Sequence, residues 1–201
     1  MSFDLIIPTY GRSRTLERTL GAYAGLVLPE DLVAIHVVEN GEACGAEGVC
    51  ARFRNQLPIK YHYLSLAGLS GARNLGIDRS DSKYLIFFDD DISPLPLALQ
   101  NYAAAFRENE DVSFFGGPVY PDYEVPPSEW LLEFLPFSAR GFELAASDTF
   151  LDKPKLLGGN FAIKKQVLDA FGRFEGPCAT GSSGGGVGEE TRLQERLLRA
   201  G

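Results

Sequence analysis

The 201 residues carry 27 acidic against 19 basic side chains, a net charge of −8 that argues against a broad nucleic-acid-binding surface, which needs excess positive charge. With 45% hydrophobic and 23% charged residues the composition is that of a folded globular chain, long enough to bury roughly 70% of its extended surface. No apolar run approaches the ~20 residues that span a bilayer, and Met1-Ser2 leads straight into a strand-like segment rather than a signal peptide, so the expected location is cytoplasmic.

Strand-like and helix-like patterns alternate from the start. Phe3 to Ile7 reads as a strand closed by Pro8-Thr9-Tyr10-Gly11, and Ser13 is placed to cap a helix with Leu16, Leu20 and Tyr23 on one face. Leu32 to Val38 is a second strand ending in Glu39-Asn40-Gly41. A helix over Val49 to Leu57 and a short strand over Ile59 to Leu64 follow, and then Ser70 caps a helix reaching about Asp78. Tyr84 to Phe88 is an aromatic-rich, fully apolar strand, and Ser93-Pro94 has the form of an N-cap and first turn for a helix with Leu95, Leu99, Tyr102 and Phe106 on one stripe. Such alternation implies an α/β fold, doubly wound, around a mostly parallel sheet.

The second half is more irregular. Val112 to Phe115 is a strand candidate, Pro121 to Pro127 a proline-rich loop, and Trp130 to Phe134 a short helix. A Gly158-Gly159-Asn160 turn adjoins apolar residues up to Ile163, and a helix around Val167, Leu168 and Phe171 stops at Gly172. Thr180 to Gly188 has the composition of a mobile loop, and Glu189 to Ala200 that of an amphipathic helix with Leu193, Leu197 and Ala200 inside. Cys44, Cys50 and Cys178 have no CxxC spacing and read as reduced structural thiols; His36 and His62 lie inside strands and read as structural too.

Chemistry concentrates at strand ends and helix starts, where open α/β sheets bind ligands. Asp89-Asp90-Asp91 directly follows the fourth strand, and three adjacent carboxylates repel one another unless a cation intervenes. The simplest reading is a divalent-metal site of hard oxygen ligands holding a phosphorylated substrate. Leu69 to Asn74 sets small residues and Arg73 at a helix N-terminus, a setting suited to a diphosphate. Each piece alone has a plainer reading: a turn at Pro8-Thr9-Tyr10, a solvated acid at Glu39, a capped helix at Ser70. Their joint occurrence at the ends of strands one, two and four points to one crevice.

Six segments, in order, resemble the signatures of family 2 glycosyltransferases: Ile6-Ile7-Pro8-Thr9-Tyr10-Gly11-Arg12, Val37-Val38-Glu39-Asn40-Gly41, Gly68-Leu69-Ser70-Gly71-Ala72-Arg73-Asn74-Leu75-Gly76, Phe87-Phe88-Asp89-Asp90-Asp91, Gly158-Gly159-Asn160-Phe161-Ala162-Ile163 and Gly188-Glu189-Glu190-Thr191-Arg192-Leu193. The resemblance implies a GT-A (Rossmann-like) fold in one domain over 1–201, with a nucleotide-sugar-binding half to about residue 115 and an acceptor-binding half from about 116. It implies a nucleoside diphosphate sugar donor and Mg²⁺ or Mn²⁺. Donor contacts would come from Pro8, Thr9, Tyr10, Glu39, Arg73, Asp89 and Asp90. Asp89 and Asp91 would be the metal pair, and Glu190 the general base. The chain departs from the family pattern with Gly11 for Asn, Glu39 for Asp and Glu190 for Asp.

By that resemblance the reaction is an inverting transfer to a hydroxyl of a glycan, lipid-linked or protein acceptor, which leaves room for peripheral membrane association. Two other readings stand beside it. One is a truncated or non-catalytic nucleotide-binding domain. The other is a haloacid-dehalogenase-type phosphatase, because Asp89-Asp90-Asp91-Ile92-Ser93 also resembles its DxDx(S/T) motif, which that family carries on its first strand. Trp130, the single tryptophan, is a candidate sugar-stacking residue or a core aromatic.

Overall fold

The computed structural model describes residues 1–143, 149–150, 156–175 and 189–200. In chain order the elements are β1 (Phe3–Thr9), α1 (Ser13–Ala24), β2 (Leu32–Asn40), α2 (Ala46–Phe53), β3 (Ile59–Leu64), α3 (Leu69–Asp78), β4 (Tyr84–Phe88) and α4 (Ala98–Glu108). After these come β5 (Phe114–Gly116), the short helices α5 (Glu129–Leu132) and α6 (Phe137–Arg140), β6 (Asn160–Lys164), α7 (Lys165–Phe171) and α8 (Glu189–Ala200). The expected mobile loop at 180–188 and Cys178 lie outside the described residues.

The six strands form one sheet in the order β3-β2-β1-β4-β6-β5. The pairs β3/β2, β2/β1 and β1/β4 are parallel, while β6 runs antiparallel to both β4 and β5. The α/β expectation holds, with a mostly parallel sheet flanked by helices. β1 feeds β2 on one side and neighbours β4 on the other, so the order reverses between β1 and β4. Such a switch point leaves a crevice outside the carboxyl ends of the strands.

Period-two alternation splits the core into two layers. Phe3, Leu5 and Ile7 of β1 pack with Leu16, Leu20 and Tyr23 of α1, Val49 and Cys50 of α2, and Leu99, Tyr102 and Phe106 of α4. Ile6, Leu85 and Phe87 face the other way, onto Ile77 of α3, Phe161 of β6, Val167 and Leu168 of α7, and Leu193 of α8. Each such fully buried apolar side chain contributes about 1.5–3 kcal/mol. Gly76 lets α3 lie close on β1, since a Cβ there would meet Ile6 Cγ2 at 2.6 Å. Among the described residues no helix is long and apolar enough to cross a membrane.

Helix starts differ from the sequence expectation. Ser13 and Ser70 are inside α1 and α3, whose N-cap positions are Arg12 and Gly68, and neither helix has a side-chain cap. Ser93-Pro94 lies in the connection to α4, which begins at Ala98, so Leu95 stays 59% exposed instead of joining the stripe. The helical stop at Gly172 is as expected: its φ of 98° suits glycine, and its N–H donates to the carbonyl of Leu168.

Beneath α3, Asp4 of β1 and His36 of β2 are both buried, and His36 contacts Asp4 Oδ2 through Nε2 (3.1 Å) and His62 Nε2 through Nδ1 (2.9 Å). With Nε2–H on both rings every donor meets an acceptor: His62 donates to His36, and His36 donates to Asp4. The two histidines are structural. Burial, reinforced by His36, Arg79 and Lys60, holds His62 down to about 4 from its ordinary value. In the unfolded chain His62 takes up a proton below about pH 6.5, while the folded chain resists until about pH 4, so acidification across that window favours unfolding. The stability difference between the parent and His62→Gln is therefore expected to shrink from pH 7 to pH 4.5, by less than about 1.4 kcal/mol per pH unit. Urea titrations at several pH values measure it; a difference independent of pH contradicts the assignment.

Candidate active site

The crevice at the β1/β4 switch point is an open cavity of about 420 Å³ lined by Pro8, Thr9, Tyr10, Arg12, Asn40, Ala67, Gly68, Leu69 and Asp89. Strand ends β1, β2 and β4 and the N-terminus of α3 do converge there. Tyr10 is 59% exposed and lies over Gly41, where φ is +79° and a Cβ would collide with the ring at 2.4 Å. Glycine at 41 thus gives the aromatic wall its position.

The three carboxylates after β4 have separate fates. Asp90 is fully buried; its Oδ2 accepts a 2.6 Å hydrogen bond from Thr9 Oγ1, its backbone carbonyl accepts one from Thr19 Oγ1 at 2.6 Å, and Arg12 pairs with its other oxygen. Burial pushes the Asp90 carboxyl above the usual range, against the opposing pull of Thr9 and Arg12. Asp91 keeps its side chain 50% exposed and takes a 3.1 Å contact from Arg12 Nη1. Asp89, 36% exposed, receives Arg73 Nη2 at 3.2 Å on Oδ1, and its Oδ2 lies beside Gly159.

The antiparallel direction of β6 brings a distant segment to this point. Phe88, the last residue of β4, pairs with Asn160, the first of β6, so the Gly158-Gly159 turn sits next to Asp89. Asn160 secures the turn by accepting from Tyr102 OH (2.6 Å) and donating to the carbonyl of Pro118 (2.8 Å). Glu190, in the first turn of α8, lies against Gly158, where a Cβ would stand 3.0 Å from its carboxyl carbon. Gly158 and Gly159 therefore place Glu190 and Asp89 on neighbouring positions of one turn. Among the described residues the Glu190 side chain has no ion-pair partner, whereas adjacent Glu189 is 3% exposed and bonded to Arg73 Nη1 at 2.7 Å. Burial raises the Glu189 carboxyl, and Arg73 opposes the rise.

Three of the expected donor-contact residues, Asp90, Arg73 and Glu39, are buried and outside the cavity lining. Arg73 is 1% exposed and spends its guanidinium on Glu189, Asp89 and the carbonyl of Gly158 (2.8 Å). Glu39 is 2% exposed: Oε1 accepts the N–H groups of Cys44 (2.6 Å) and Ala46 (3.3 Å), and Oε2 accepts Tyr61 OH (2.6 Å). It caps α2 across the loop, and burial together with this carboxylate raises the Tyr61 hydroxyl. Trp130 is 67% exposed and packs edge-on against Phe134, so it is not a core aromatic.

Asn40 is the residue that sequence reasoning passed over. Buried at the end of β2, it donates from Nδ2 to the carbonyl of Thr9 (2.9 Å) and accepts at Oδ1 from the N–H of Gly68 (2.9 Å). It clips together three of the segments that line the cavity. The signal was available, since a polar residue ending an apolar strand needs partners in its own layer. Asn40→Ala leaves the buried C=O of Thr9 and the partly buried N–H of Gly68 without their partner and is expected to cost about 1–3 kcal/mol in denaturant unfolding. A cost within a few tenths of zero contradicts the clip.

Residues 4–172 match the family described as Glycosyl transferase family 2. Similar proteins include the chondroitin synthase of Escherichia coli, 30% identical over 121 residues that make up 59% of this chain and 18% of that protein. The hyaluronan synthase of Pasteurella multocida is 26% identical over 204 residues, 87% of this chain and 21% of that one. Among solved structures, S. aureus TarS 1-349 in complex with UDP-GlcNAc superposes with a TM-score of 0.62 at 17% identity, covering 85% of this chain and 47% of that one. The mannosyltransferase PcManGT from Pyrobaculum calidifontis, in complex with GDP-Man and Mn²⁺, gives 0.59 at 17% identity, covering 86% and 47%. The chain thus spans about a fifth of the synthases it matches and about half of these structural neighbours. It belongs to glycosyl transferase family 2 and has the fold of these glycosyltransferases; that membership leaves the phosphatase reading of Asp89 to Ser93 without support.

Proposed function

We propose that this family 2 member is an inverting glycosyltransferase domain that binds a nucleoside diphosphate sugar in the switch-point cavity and transfers its sugar to an acceptor hydroxyl. The observation that carries the reading is the meeting of Asp89 and Glu190 on the Gly158-Gly159 turn beside that cavity. Pro8 and Tyr10 supply an apolar wall for a nucleobase, and Gly68 and Leu69, which line the cavity at the start of α3, set the positive end of that helix toward a diphosphate, with the N–H of Gly68 itself taken by Asn40. The neighbours' UDP-GlcNAc and GDP-Man support a nucleotide-sugar donor. The half up to about residue 115 would hold that donor. The half from about 116 would receive a glycan, lipid-linked or protein acceptor.

The donor set fits a hard divalent ion such as Mg²⁺ or Mn²⁺. Asp89 and Asp91 offer partly exposed carboxylate oxygens, and two carboxylates plus phosphate oxygens are an ordinary way to hold Mg²⁺. Among the described residues no group of three or more His, Cys, Asp or Glu is placed to hold a metal ion, so Asp89 and Asp91 would need a substrate's oxygens to bind one. When bound, such an ion offsets the charge that grows on a departing diphosphate. Asp90 would serve from behind, keeping Thr9 and Arg12 in place.

Glu190 would accept the proton of the attacking acceptor hydroxyl as the new bond forms on the face of the sugar opposite the diphosphate. Gly158 leaves the space its carboxylate occupies. The glutamate is one methylene longer than the aspartate usual in the family, and the absence of a side chain at 158 gives that extra length somewhere to go.

UDP or GDP with Mn²⁺ at about a hundredfold excess over Kd is expected to stabilise the protein by about 2.7 kcal/mol, a rise of roughly 5–10 °C in Tm, and Asp91→Ala should abolish that rise while leaving the unliganded Tm near its original value. An undiminished shift in the variant removes Asp91 from the metal pair. Glu190→Gln is expected to lower sugar transfer, or slow donor hydrolysis without acceptor, by about 10²- to 10⁴-fold with the nucleotide-induced shift intact. Unchanged turnover would move the base elsewhere.

A further inference from the structure

We infer that Arg73 couples the donor cavity to α8, so that occupancy at Asp89 tightens the seat of Glu189 and, with it, of Glu190. The inference rests on the donor reading above and assigns Arg73 a positioning role in place of a donor contact. Its guanidinium joins four segments far apart in the chain: its own helix α3, the tip of β4 through Asp89, the turn before β6 through the carbonyl of Gly158, and the first residue of α8 through Glu189. Phe161 and Phe174 flank it, with ring centres 5.7 and 5.4 Å from the guanidinium carbon, so its charge is held in place and away from solvent.

The charge count makes this connection responsive. One guanidinium serves Glu189 at 2.7 Å and Asp89 at 3.2 Å, while Glu190 adjoins the same turn. Asp89 therefore competes with Glu189 for a single positive charge. A cation that engages Asp89 removes the competitor, and the guanidinium then acts on Glu189 alone. Further along α8, contacts independent of this charge hold the helix: Leu193 is buried, and Gln194 exchanges two hydrogen bonds with the backbone of Leu156 (3.0 and 2.9 Å). The first turn, which carries Glu190, is the part that Arg73 governs.

Hydrogen–deuterium exchange over residues 189–200 tests this, using the whole protein with Mn²⁺ and UDP or GDP, and with binding measured in the same samples by calorimetry. In the parent, bound nucleotide should slow exchange in the first turns of α8 by about fivefold or more, the lower end of ordinary coupling between sites. Glu189→Gln keeps an oxygen for Arg73 but removes the charge, so nucleotide should still bind while the slowing disappears. Bound nucleotide with unchanged exchange in the parent overturns the coupling and leaves the donor reading standing. A full response in Glu189→Gln also overturns it. Failure of either nucleotide to bind with Mn²⁺ overturns the donor reading, and the coupling falls with it.

Discussion

Three consecutive carboxylates at the tip of a buried strand cannot share one environment, and the site is organised around separating them. Asp89 is turned toward Arg73, Asp90 is buried under Thr9 and Arg12, and Asp91 is left half in solvent. Each solution draws on a different part of the chain. Thr9 and Arg12 come from the end of β1 and the start of α1, and Arg73 from the middle of α3. The repulsion between neighbouring acids is thereby converted into contacts that hold those elements in register. An alternating backbone alone would bring the strand ends together without fixing the side chains that face the crevice.

The reversed direction of β6 matters as much as the parallel core. A sixth parallel strand would start at the far end of the sheet and carry Gly158 and Gly159 away from Asp89. Running antiparallel, it begins where β4 ends, and the two glycines lie between Asp89 and Glu190. Residues roughly seventy to a hundred positions beyond β4 thus complete a site that the first ninety only half build.

Two strands match to the residue: Tyr84 to Phe88, legible because it is buried throughout and reads as an uninterrupted apolar run, and Ile59 to Leu64, which is only partly buried and carries Lys60 and His62 among its apolar residues. Helix starts were not legible, because Ser13, Ser70 and Ser93 look like caps locally, while the actual first turns are set by where the chain leaves each strand. Which residues gather at the cavity could be read from their places at strand ends. Which way their side chains turn could not. Arg73 points inward because Glu189, 116 positions away, is there to receive it, and Glu39 because Tyr61 and the amides of Cys44 and Ala46 are. No local pattern encodes a partner at that separation.

The seat of Glu39 also constrains how the sequence can vary. Its carboxylate reaches the amides of Cys44 and Ala46 on one side and the hydroxyl of Tyr61 on the other, a span that uses the full length of the side chain. An aspartate at 39 would fall short of one set or the other, leaving either the Tyr61 hydroxyl or the Cys44 and Ala46 amides without this acceptor. Positions 39 and 61 should therefore drift together among descendants of this chain: a shortened acid pairs with loss of the tyrosine hydroxyl, and a retained tyrosine keeps the glutamate.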